Sequence, residues 1–107
     1  MSKRAEERAY FWLGLWTRRL GIERPVRLER ASIWQVTGPD GRRGGSLVGV
    51  VLGADGACIV HTRRLTEEDI VHELLHVAYP DWSEAAVIAE TARLLPAPAR
   101  RAALVPA

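Results

Sequence analysis

The chain has 107 residues, 48% apolar and 26% charged, with a formal net charge of +2. That composition is one globular domain's worth and excludes collagen-like, low-complexity and wholly disordered chains. No apolar run approaches the roughly 18 residues of a membrane-spanning helix, Glu6 and Glu7 interrupt what a signal peptide would keep apolar, and Cys58 is the only cysteine, so a cytoplasmic protein without disulfides or a cysteine-rich zinc cluster is expected.

Residues 3–20 predict an amphipathic helix, with Ala9, Leu13, Trp16 and Leu20 on one stripe, Trp12 widening it and Gly21 ending it. Residues 25–30 alternate apolar and charged like a half-buried strand. A second extended piece over residues 33–36 precedes the Gly- and Arg-rich stretch 38–45. That stretch lacks the Gly-Lys-Ser/Thr ending of a phosphate loop and reads as a hairpin connection. Residues 46–52 and 57–61 form two β-rich runs joined by Gly53-Ala54-Asp55-Gly56, a hairpin signal that predicts a small antiparallel sheet. Thr66 is a candidate N-cap for a helix over 67–79, with Glu67, Glu68 and Asp69 where the helix dipole favours negative charge. Pro80-Asp81-Trp82 interrupts it, and Ser83 caps a last helix that runs to about residue 95. The expected fold is thus α+β: an N-terminal helix, a small antiparallel sheet and two C-terminal helices. Residues 1–95 make a single domain and 96–107 a flexible Pro/Ala/Arg tail. Trp12, Trp16, Trp34 and Trp82 are expected in the core or covering its edge.

Charge is unevenly spread. Residues 66–90 hold seven acids and no Lys or Arg, and they contain two of the three histidines. Within this block stands His72-Glu73-Leu74-Leu75-His76, a His-Glu-x-x-His motif. Histidines four apart on a helix lie about 40° apart around the axis and one turn along it, so both imidazoles can reach one tetrahedral zinc ion. Glu73 sits beside that face, where a carboxylate can take a proton from water activated by the metal. Ile70, Val71, Leu74, Leu75, Val77 and Ala78 cover the rest of the circumference, so the histidine face should border a cleft.

A catalytic zinc needs a third protein ligand and an open fourth position. Asp81, Glu84 and Glu90 lie just downstream, and Cys58 is more remote. Helical phase groups Glu84 with Val87, Ile88, Thr91 and Leu95 on the stripe that should face the preceding helix, whereas Glu90 falls outside it and can pair with Arg93. Height along a helical hairpin slightly favours Glu90 instead. Glu84 is preferred, because a carboxylate on a core stripe is costly unless a cation compensates it.

The stretch HELLHVAYPDWSEAAVIAETARLLP resembles the active-site region of gluzincin-type zinc metallopeptidases. It is most similar to the small metallopeptidases of bacteriophages and their bacterial hosts, and its last helix resembles that of the ImmA/IrrE peptidases, whose glutamate ligand would match Glu84. The resemblance covers about 25 residues, and no metzincin-like Gly-x-x-His follows. It implies a minimal zincin-like domain in which His72, His76 and Glu84 bind Zn2+, Glu73 is the catalytic base, and the substrate is a peptide or protein in a bacterial or phage-infected cell. His61 and Tyr79 are candidate oxyanion stabilisers, although a strand-end polar residue and a packed aromatic are the plainer roles. The strand 57–61 is a candidate edge for an extended substrate, and Arg63 and Arg64 are expected to pair with Glu67 or Glu68. Other readings keep the site with a cell-wall peptide as substrate, or replace catalysis with a metal-stabilised binding module for a protein or nucleic acid. The fourteen arginines are scattered and offset by the acidic block, which argues against nucleic acid.

Overall fold

A computed structural model describes residues 3–32 and 46–96. The expected extended piece over 33–36, Trp34, the Gly/Arg stretch and nearly all of the C-terminal tail lie outside these residues. Helix α1 (Lys3–Arg19) buries Ala5, Ala9, Leu13 and Trp16 on one stripe. It closes at Gly21, whose φ of +68° lies in the left-handed region. The Ile22 amide donates to the Thr17 carbonyl (2.9 Å) and the Gly21 amide to that of Arg18 (3.2 Å), which satisfies the last carbonyls in the manner of a Schellman ending.

Three strands follow: β1 (Val26–Arg30), β2 (Val48–Gly53) and β3 (Gly56–His61). The expected hairpin is present, with β2 antiparallel to β3 and Gly53 opposite Gly56. The sheet is nevertheless mixed rather than antiparallel, because β1 runs parallel to β3, Val26 opposite Ala57 and Arg30 opposite His61. A parallel pair needs a crossover of a dozen or more residues, and the chain between β1 and β3 supplies it, with β2 inside the connection. In the order β1-β3-β2, β3 is the central strand. Its two edges are taken, so the expectation that strand 57–61 receives an extended substrate is overturned.

Helix α2 (Glu67–Ala78) begins as anticipated at Thr66. The Thr66 hydroxyl accepts from the Asp69 amide (3.1 Å) while the Asp69 carboxylate accepts from the Thr66 amide (2.8 Å), a complete capping box. Helix α3 (Glu84–Leu94) starts at Ser83, whose hydroxyl accepts from the Ala86 amide. Ile59, Ile70, Val71, Leu74, Leu75 and Val87 are fully buried. Burying each such side chain contributes about 1.5–3 kcal/mol. Four of the six belong to α2, which packs against α1, α3 and β2 and holds its histidine face towards the remaining open side. Trp16 is buried, whereas Trp82 is 37% exposed. Among the described residues, no helix is long and apolar enough to cross a membrane.

Candidate metal centre

The core fixes α2 on its apolar arc and leaves His72 and His76 partly exposed, their rings 5.1 Å apart and edge to face. The Pro80–Ser83 turn brings the first residue of α3 back to this face. One oxygen of Glu84, Oε1, lies 2.5 Å from His72 Nε2 and 3.4 Å from His76 Nε2. Ligand atoms of His72, His76 and Glu84 all fall within 4.8 Å of one another, so the three form a group that can hold a metal ion. Bonds of about 2.1 Å in a tetrahedron put ligand atoms about 3.4 Å apart. The His76–Glu84 separation already matches that figure. The His72–Glu84 separation is shorter than that figure.

Glu73 is 7% exposed, and its Oε2 lies 3.9 Å from His72 Nε2. Burial, then the negative charges of Glu84 and Asp69, push its carboxyl up from the ordinary 4.5 to about 7. It faces a cleft of about 240 Å³ lined by Val48, Arg63, Glu68, Asp69, His72 and Glu73. Arg63 closes one side of this cleft, its guanidinium donating to both oxygens of Asp69 at 2.6 and 2.9 Å. Burial opposes ionisation of Asp69, but hydrogen bonds from Arg63 and Thr66 outweigh it and hold the carboxyl below the usual range.

Several expectations are corrected here. Arg63 pairs with Asp69 rather than with Glu67 or Glu68, because the capping box turns Asp69 back towards the loop that carries Arg63. Glu67 instead accepts from the Trp16 indole at 2.7 Å, tying α1 to α2. Neither His61 nor Tyr79 lines the cleft. His61 is buried with Nδ1 on the Arg63 carbonyl, and Tyr79 stacks on Trp82 at 4.1 Å. Glu90 makes the anticipated pair with Arg93, and Asp81 is exposed and outside the metal group. Cys58 is also outside it, its thiol directed to Glu29. Glu84 itself sits on the exposed rim rather than on a buried stripe, with 63% of its side chain accessible. The Arg63–Asp69 clamp went unread, although Thr66-x-x-Asp69 is a capping-box spacing that signals where Asp69 turns.

No protein-family model matches this sequence, and no curated protein or solved structure matches it either.

Proposed function

We propose that the chain is a zinc-dependent peptidase of the zincin type, with His72, His76 and Glu84 holding the metal and Glu73 acting as general base. The observation that carries this reading is the convergence of two imidazole nitrogens and one carboxylate oxygen, beside a second, buried carboxylate. Two histidines and a glutamate form a donor set suited to catalytic zinc, leaving a fourth position for water or substrate. Bound zinc supplies Lewis acidity, polarising a peptide carbonyl and acidifying water at the site.

The remaining work falls to the protein's own groups. Glu73 is carried by the buried middle of α2 and lines the cleft. A cation beside it favours its ionised form, the form that accepts a proton. It takes that proton from the attacking water and returns it to the leaving amine, as a general base that becomes a general acid. Arg63 and Asp69 clamp the start of α2 and shape the cleft wall. Among the described residues, β2 is the edge strand on the cleft's side, reaching it through Val48. An open strand edge recognises the main chain of an extended peptide, which supports a peptide or protein as substrate.

The test is hydrolysis of a broad peptide library by the zinc-loaded native chain and by Glu73→Gln. The substitution should keep stoichiometric zinc and lower turnover by about 10²–10⁴-fold, the range for loss of a general base. Unchanged turnover in Glu73→Gln would remove the catalytic assignment.

A further inference from the structure

A second pocket, distinct from the metal cleft, lies between the first turns of α1 and the end of the sheet. It has a volume of about 130 Å³ and is lined by Glu6, Tyr10, Leu28, Arg30 and His61, sharing no residue with the metal cleft. Its construction follows from the secondary structure. Arg30 and His61 are partners in the parallel β1–β3 register, so their side chains leave the same face of the sheet, and Leu28 shares that face two residues back. Glu6 and Tyr10 are one helical turn apart on α1 and project together.

His61 makes this pocket more than a surface dimple. The residue is 2% exposed, and its Nδ1 lies 2.8 Å from the Arg63 carbonyl oxygen. A carbonyl only accepts, so Nδ1 is the donor in this contact, and in that tautomer Nε2 is an acceptor. Among the described residues, Nε2 has no hydrogen-bond partner, although no enclosed side-chain nitrogen or oxygen is left unsatisfied. The ring's residual accessibility is therefore at Nε2, into the pocket. An accessible ring nitrogen at the floor of a pocket is an acceptor that a ligand's N–H can reach.

We infer that this pocket binds a small zwitterion of the α-amino-acid type, its ammonium group donating to His61 Nε2 and Glu6 and its carboxylate accepting from Arg30. The lining is formally neutral, with one acid and one base, and neither is engaged in an ion pair among the described residues. It therefore suits a ligand that carries both charges and no net charge. Leu28 provides an apolar patch for a short alkyl side chain, and the Tyr10 hydroxyl can donate or accept. The volume is a few times the roughly 30 Å³ that a water occupies in the liquid. It is of the size of one small amino acid.

The test is titration of the full chain with glycine, L-alanine and L-serine, followed by backbone amide shifts and by the ring nitrogen resonances of His61. N-acetylalanine, which lacks the ammonium group, and alaninamide, which lacks the carboxylate, serve as singly charged controls. The expected result is a saturable shift of His61 Nε2 and of the Tyr10, Leu28 and Arg30 amides with at least one free amino acid. Both controls should bind at least about tenfold more weakly, and Arg30→Ala and Glu6→Gln, at exposed positions, should weaken binding by a similar factor. Absence of any saturable shift at these residues would overturn the assignment. So would equal binding of the blocked analogues, or binding unaffected by both substitutions in chains whose amide spectra show a retained fold.

Discussion

A carboxylate buried beside a pair of histidines and within the field of two further acids makes the metal-free chain sensitive to pH. Glu73 is pushed from 4.5 to about 7 on folding, so the folded state binds its proton more tightly than the unfolded chain does. Its stabilising contribution is complete below the unfolded value and is lost as pH rises through the folded one. Asp69 behaves in the opposite sense, since its lowered pKa adds stability that disappears only on strong acidification. In the presence of a chelator, denaturant unfolding should therefore show the native chain losing stability between about pH 5 and about pH 8 relative to Glu73→Gln. An identical pH profile for the two chains would contradict the burial assigned to Glu73. At this scale the His-Glu-x-x-His pattern was legible from spacing, whereas the phase argument for Glu84 rested on a buried stripe that its exposed position does not bear out. The burial of Glu73 was not legible, because it depends on which elements close over α2. The height argument that favoured Glu90 failed for a physical reason. Glu84 opens α3, and helical side chains lean towards the N-terminus, which carries this carboxylate back over the turn to both imidazoles.

Caps and endings set the elements that hold the site. Thr66→Ala removes one half of the capping box on the helix that carries His72, Glu73 and His76 and should cost about 1 kcal/mol. Gly21→Ala forces a Cβ into the left-handed region at the end of α1 and should cost about 1–2 kcal/mol. Both are measurable as shifts in denaturation midpoint without a change in slope. Thr66 and Gly21 were readable because capping chemistry is local: a hydroxyl before a run of acids, a glycine after the last residue of an apolar stripe. Strand direction was not. The turn at 53–56 identifies the β2–β3 hairpin, but nothing local to residues 25–30 records that β1 joins β3 in parallel, since that pairing is decided across the whole intervening connection. The buried stripe of α3 is likewise narrower than its apolar composition suggests. Val87 and Thr91 are buried, but Ile88 is 55% exposed, because α3 covers only one side of α2.

Across the molecule, the acidic block between residues 66 and 90 resolves into separate tasks. Glu67 ties α1 to α2, Asp69 holds Arg63, Glu90 pairs with Arg93, and Glu73 and Glu84 converge on the histidines. The charge of Glu84 opposes that of Glu73, and a divalent cation held by His72, His76 and Glu84 would relieve that opposition. Zinc that binds only the folded chain should stabilise it by RT ln(1 + [Zn]/Kd), about 2.7 kcal/mol at a hundredfold excess over Kd. Thermal unfolding should then shift upward with zinc and return to its starting midpoint with a chelator. A midpoint indifferent to zinc would mean that the ion does not discriminate folded from unfolded chain.

The most direct measurement is zinc stoichiometry by metal analysis after dialysis at micromolar zinc, on the native chain and on His72→Ala, His76→Ala, Glu84→Ala and Glu90→Ala. One ion per native chain and per Glu90→Ala chain is predicted, with loss of bound zinc in each of the other three. A native chain that retains no zinc, or zinc retained equally by Glu84→Ala, would contradict the metal centre assigned to His72, His76 and Glu84.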